Sequence, residues 1–270
     1  MKFCLSRFNK INSFPLKITF LGTGTSQGVP VIGCTCNTCI SVDSRDKRLR
    51  SSVLITIDNH NILIDAGPDL RQQMLVNHVN HLDAILITHE HNDHVIGMDD
   101  IRPFNFRQRV DMPIFSLERV LNEIRMKFSY IFHSNPYPGA PRVVCNAILA
   151  GDTFELFNTV KVDAIDILHG NLQILGFRIK NFAYITDASF ISDQSFQSLY
   201  GLDVLVLNAL QYRKHYSHFN YDEAIEVAEK IGAEKTYFTH MSHEMGLYAD
   251  MINKLPQNIF PAYDGLILEL

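Results

Sequence analysis

The heptapeptide THEHNDH, residues 88–94, places His89, His91, Asp93 and His94 within a few positions of one another. Imidazoles and a carboxylate at that density are ligands for Zn²⁺, Mn²⁺ or iron. A helical zinc motif would space its two histidines four apart on one helix face. Here the ligand-type residues alternate directly after the apolar run AILIT, so they splay from a loop toward two neighbouring points. His89 and His91 are expected to serve one ion, and Asp93 and His94 a second. The stretch GCTCNTC, residues 33–39, is a second concentration, with Cys34, Cys36 and Cys39. Three thiols are one more than a disulfide uses and one fewer than a closed tetrahedral site needs. Read alone, they fit a disulfide with a spare thiol, an iron–sulfur site, or an incomplete metal site. Cys4 and Cys145 read more simply, as an exposed thiol and a buried strand residue.

The elements that must position these groups follow from periodicity and punctuation. KITFLG is a strand that runs into the glycine-rich loop GTGTSQGVPVIG. SVLITID and NILIDAG are two strands joined at Asn59-His60, a hairpin signal. Pro68 opens a helix with Asp69 in its first turn, and residues 116–128 read as a helix capped by Ser116. The Pro- and aromatic-rich segment 128–142 is an irregular excursion. Three strands follow around 160–186, the last ending in AYITD, and DVLVLNAL is another apolar strand. YDEAIEVAEKIGA is an amphipathic helix closed by Gly232; TYFTH and GLILEL are the final strands. Strands outnumber helices and the two are interleaved, which predicts stacked layers of two sheets with helices outside. No composition shift divides the chain, so residues 16–270 are expected to form one domain after a short extension, residues 1–15.

The bulk numbers narrow the class. The chain has 270 residues, is 46% hydrophobic and 20% charged, and carries a net charge of −5. That balance does not advertise a nucleic-acid partner, and RDKRLR (45–50) reads as a solvated surface. No apolar run is long enough to span a membrane. The basic start MKFCLSRFNK is too interrupted for a signal peptide, and the cysteine pattern is not a secreted disulfide framework. A cytoplasmic protein is expected.

HxHxDH after a strand, with LIDAG upstream, resembles the metallo-β-lactamase superfamily. The resemblance covers residues 16–270 and implies a four-layer αββα sandwich of the mixed α/β (α+β) class. It implies further ligands at three strand ends: His169 after VKVDAIDIL, Asp187 at the end of AYITD as a carboxylate touching both metals, and His240 at the end of TYFTH. Asp65 of LIDAG resembles the superfamily's structural aspartate, which supports the metal loop without binding metal. Redox-active di-iron members carry Glu where this chain has His91, so the pattern points to hydrolysis. Two ions 3.5–4 Å apart generate a nucleophile at neutral pH and stabilise charge on the attacked group. Asp93 is assigned to the catalytic set as well as to the metal set. His218, just before the helix at 221, resembles in chain position the non-ligand histidine that assists the leaving alkoxide in the superfamily's phosphodiesterases and tRNA 3′-processing endonucleases; His215 is its rival.

GTGTSQGVPVIGCTCNTC, together with THMSH near the end, resembles the PhnP-type cyclic phosphodiesterases. That resemblance implies a structural zinc held by Cys34, Cys36, Cys39 and His243, beside two catalytic divalent metals, Zn²⁺ or Mn²⁺. A Cys₃His set has no open position, which suits structure and not catalysis. The 128–142 excursion, with Phe132, His133 and Tyr137, is expected to roof the active site and contact substrate. The function implied is hydrolysis of a small phosphodiester, cyclic or linear. The alternatives are a tRNA-maturation endonuclease, which would want a basic surface and a long gripping arm absent here, and a thioester or lactone hydrolase with no need of His218. A non-catalytic metal-binding protein would be expected to have lost ligands. The expected partner is a small-molecule phosphodiester, with no membrane; nucleic acid is disfavoured and a homodimer is left open.

Overall fold

A computed structural model describes residues 15–270. The expected extension lies almost wholly outside the described residues, and Cys4 with it. The described strands, in chain order, are β1 (Lys17–Gly22), β2 (Ser52–Ile57), β3 (His60–Ile64), β4 (Ala84–Leu86), β5 (Met112–Ser116), β6 (Val143–Ala147), β7 (Thr153–Leu156), β8 (Val160–His169), β9 (Leu172–Ile179), β10 (Phe182–Ile185), β11 (Phe190–Ile191), β12 (Val204–Asn208), β13 (Lys235–Thr239), β14 (Ile259–Pro261) and β15 (Ile267–Glu269). They form two sheets. One has the order β15-β1-β2-β3-β4-β5-β6, the other β11-β8-β9-β10-β12-β13-β14, with β7 added to β8.

Ile18, Phe20 and Ile55 of the first sheet meet Phe177, Tyr184 and Val206 of the second in one buried cluster, which continues to Leu70, Met74, Val120 and Leu121 of the first sheet's helices. A second cluster joins Ala183, Leu205 and Leu207 to Ala224, Ala228 and Ile231 of the helix Tyr221–Ile231. The layers are therefore helix, sheet, sheet, helix: the expected αββα sandwich. Strands β4, β10 and β12 are buried along their whole length, which is why they read as unbroken apolar runs and not as alternating ones.

The hairpin at Asn59 is present, with Asp58 and Asn59 both at positive φ (50° and 65°), as a two-residue turn matching strand twist requires. The helix Tyr221–Ile231 carries a capping box between Asn220 and Glu223 and ends at Gly232 in the left-handed conformation. One expectation is corrected. Ser116 does not cap a helix but ends β5; its hydroxyl donates to the Ile87 carbonyl at 2.7 Å, and the helix begins at Glu118. Parallel pairing of β5 with β4 and β6 outweighs the local capping signal.

The topology has one consequence for chemistry. Strands β3 and β4 run parallel, as do β10, β12 and β13, and β8 shares their direction because two antiparallel steps separate it from β10. Their carboxyl ends release Asp65, Thr88-His89, Asp187, Asn208, His240 and His169, all at the mouth between the sheets, where such folds bind ligands.

Candidate metal centre

Ligand-type atoms converge at this mouth in overlapping groups, each with its atoms within 4.8 Å of one another: His89, His91 and His169; Asp93, His94, Asp187 and His240; and His169, Asp187 and His218. His89 and His91 fall in one group and Asp93 and His94 in another. Asp187 stands between them. Its Oδ2 lies 3.3 Å from His94 Nε2 and 3.2 Å from His240 Nδ1, while its Oδ1 faces His218 Nδ1 at 3.8 Å.

Outer contacts fix which ring nitrogens face inward. His169 Nδ1 lies 2.6 Å from the Ser217 carbonyl. A carbonyl only accepts, so Nδ1 carries the proton and the Nε2 lone pair is free. His94 Nδ1 is 2.7 Å from Asp65 Oδ2, the carboxylate–histidine pairing that orients a metal ligand. Asp65 also accepts from the Thr88 amide at 2.8 Å and from the Thr88 hydroxyl. These contacts place Asp65 at the Nδ1 edge of His94, away from its Nε2. His240 Nε2 is 3.2 Å from the Thr25 hydroxyl, which ties the glycine-rich loop to the site. Asp65, Asp187 and His240 all have positive φ (64°, 58° and 53°). Non-glycine residues pay for that conformation, and it concentrates at functional sites. A Cβ on Gly67 of LIDAG would lie 2.1 Å from the Asp93 carbonyl oxygen, so glycine there lets the metal loop pack against β3's exit.

Burial pulls His89, His91 and His240 below the ordinary imidazole range, and it pushes His218 down to about 3 against the opposing pull of Asp187. Neutral imidazoles are the form that binds metal. His94 goes the other way. Burial opposes its charge, but Asp93, Asp187 and Asp65 overcome it and raise it well above the usual range. Its Nε2 is buried, has no hydrogen-bond partner, and lies 3.2 Å from Asp93 Oδ2. A cation there would replace that proton and relieve three clustered carboxylates, so the donor set fits divalent metal.

At the edge of the mouth, Cys34 Sγ and Cys36 Sγ lie 3.4 and 3.2 Å from His243 Nδ1, and Cys39 completes the group within 4.8 Å. None of these cysteines is in a disulfide. His243 beside Cys36 pulls that thiol down to about 6, whereas burial pushes Cys39 up to about 11. The two parts of the chain that meet here are some two hundred positions apart, so only the fold brings the fourth donor to the thiols.

Residues 60–241 match the family model described as a beta-lactamase superfamily domain. A solved structure described as a new diphosphatase from the PhnP family is 38% identical, covers 95% of this chain and 98% of its own, and superposes with a TM-score of 0.89. The chain belongs to the PhnP family of the metallo-β-lactamase superfamily. An octanoyltransferase of Porphyromonas gingivalis is 39% identical over 253 residues, 93% of this chain but 51% of the relative; the chain thus spans about half the length of that curated protein. Zn²⁺-bound PqqB from Methylobacterium extorquens shares the fold, with a TM-score of 0.77 at 20% identity over 94% of this chain and 100% of its own.

Not every residue singled out in the PhnP-family chain joins the centre. The contacts of the 128–142 excursion run elsewhere. Phe132 packs against the central core, His133 is exposed, and the Tyr137 hydroxyl accepts from Arg102 at 3.0 Å. The Tyr137 contact ties the excursion to the helix Arg102–Gln108. His215 stands outside His218, ring centroids 5.0 Å apart, and only His218 reaches Asp187. Sequence reasoning missed the supporting shell: Thr88, Thr25 and the Ser217 carbonyl. It also missed Arg119 and Lys127, which pair with the Glu90 carboxylate and carbonyl inside the metal loop. Thr88 was legible as part of the motif; a backbone carbonyl such as Ser217's leaves no mark in sequence.

Proposed function

We propose that this chain is a metal-dependent hydrolase of a small phosphodiester, with His89, His91 and His169 holding one divalent ion and Asp93, His94 and His240 a second. The observation that carries the reading is Asp187, whose Oδ2 faces His94 and His240 while the residue also groups with His169 of the other set. When bound, such an ion pair supplies an activated water at neutral pH and a sink for charge on the phosphoryl oxygen. The chain's own residues do the rest. Asp187 spaces the two groups, Asp65 and Ser217 orient His94 and His169, and His218 presents its ring N–H to the leaving oxygen. Similarity to a PhnP-family diphosphatase supports phosphoester chemistry. The metals are assigned as Zn²⁺ or Mn²⁺ and the compartment as cytoplasmic, where thiols stay reduced. Among the described residues no helix is long and apolar enough to cross a membrane.

The test is a screen of cyclic and linear phosphodiesters, diphosphates and acyl thioesters with metal-quantified protein. Bis(p-nitrophenyl) phosphate should be hydrolysed, the activity should vanish on chelation, and Zn²⁺ or Mn²⁺ should restore it. Turnover of thioesters alone, the chemistry nearest the octanoyltransferase relative's name, would overturn the reading.

Cys34, Cys36, Cys39 and His243 are assigned to one structural Zn²⁺, since four protein donors leave no open position. Cys36→Ser should therefore lower the metal content by one ion and reduce the melting temperature, with two ions and diesterase activity retained at low temperature. Unchanged stoichiometry by elemental analysis would reject this assignment.

A further inference from the structure

We propose that Tyr216 is the stacking platform for a planar ring of the substrate, so that the phosphodiester hydrolysed here belongs to a free nucleotide-like molecule. This rests on the reading of the metal centre as a phosphodiesterase site.

Three observations place the platform. Tyr216 is 86% exposed, more than any other aromatic residue among those described as exposed. A water-facing aromatic ring is common singly, but this one is registered to the reacting centre. The next residue, Ser217, receives His169 Nδ1 through its carbonyl, and the one after is His218. The Tyr216 ring also lies over Gly170, directly after His169; its Cε2 would be 3.5 Å from a Cβ built there. Rings then step inward: Tyr216 to His215 at 5.1 Å between centroids, His215 to His218 at 5.0 Å, and His218 to His169 at 4.6 Å. This ladder of rings runs from solvent to the candidate metal centre.

The segment is held in shape. The Leu210 amide donates to the Phe219 carbonyl, the Tyr221 amide to the Gln211 carbonyl, and Asn220 Nδ2 to the Tyr212 carbonyl. A loop closed at its base presents its side chains without a large ordering cost on binding. The neighbouring cations favour a small ligand over a polynucleotide. Arg213 is spent on Glu244, at 2.6 and 2.9 Å, and Lys214 lies 3.7 Å from Glu223, leaving little of the basic surface that RNA binding demands. Aromatic stacking instead tolerates any base, because every base has a π face.

The experiment compares two diesters with the same leaving group: thymidine 5′-(p-nitrophenyl phosphate), which carries a base, and methyl p-nitrophenyl phosphate, which does not. Wild type should favour the thymidine ester through a lower KM. Tyr216→Ala should cut that preference about tenfold, the scale of one base–aromatic stack, and Tyr216→Phe should keep it. A preference that survives Tyr216→Ala, or is absent in wild type active on both esters, overturns the platform alone. Wild type inactive on both overturns the phosphodiesterase reading with it. Tight tRNA binding that weakens steeply with salt would move the occupant to RNA and overturn the free-nucleotide assignment.

Discussion

Asp187→Ala abolishes hydrolysis of bis(p-nitrophenyl) phosphate, with loss of more than about 10²-fold, the scale at which even an outer partner of a metal ligand is felt. Asp187 is buried, and burial works against its charge; His240, His94, His89 and His218 outweigh that and hold the carboxyl well below the usual range. Asp187 groups with His94 and His240 on one side and with His169 on the other. Without it, His94 and His240 keep their positions but the two groups lose their common donor, so metal content should fall together with rate. Asp187→Asn separates shape from charge, since the amide keeps the volume and loses the negative charge shared by both sides. It should be nearly as inactive as the alanine variant. Full activity in a folded Asp187→Ala protein, checked by circular dichroism, would remove the proposed centre.

The second large effect is selective. His218→Ala should lose about 10²-fold on a diester with an alkoxide leaving group, the lower end of what one hydrogen-bond donor to developing negative charge contributes, and much less on one that expels p-nitrophenolate. Its ring is buried at 9% exposure, stacks near His240 at 5.1 Å and leaves Nδ1 without a hydrogen-bond partner, so a free ring atom faces the site. A good leaving group needs no help, whereas an alkoxide does. His215→Ala serves as the control, because His215 contacts Ser217 and His218 and no carboxylate of the centre. Equal losses on both leaving groups would argue for a packing role at position 218.

Much of the candidate site was legible because the chemistry is concentrated at strand exits. Apolar runs such as AILIT and AYITD mark strands buried on both faces, and a ligand-type residue placed straight after one must lie at a carboxyl end. Short strands lacked that contrast. β5, MPIFS, alternates between buried and half-buried residues, and its last residue imitates a helix cap, so Ser116 reads as the start of the following helix and no strand is marked before it. The contacts that the 128–142 excursion makes with Arg102 and the central core are distant pairings that no local pattern encodes.

The sequence by itself determined the family, the αββα layering, the ligand types and the order in which they occur along the chain, because residue spacing and apolar runs are local properties. The tertiary structure alone decided which donors share a centre. It divided THEHNDH between two groups, set Asp187 between them, carried His243 to the three thiols and put His218, not His215, beside the carboxylate. Those choices depend on the parallel pairing of β10, β12 and β13 and on the meeting of both sheets' strand ends. Contacts between residues far apart in the chain follow from how the sheets pack, not from any neighbouring residue.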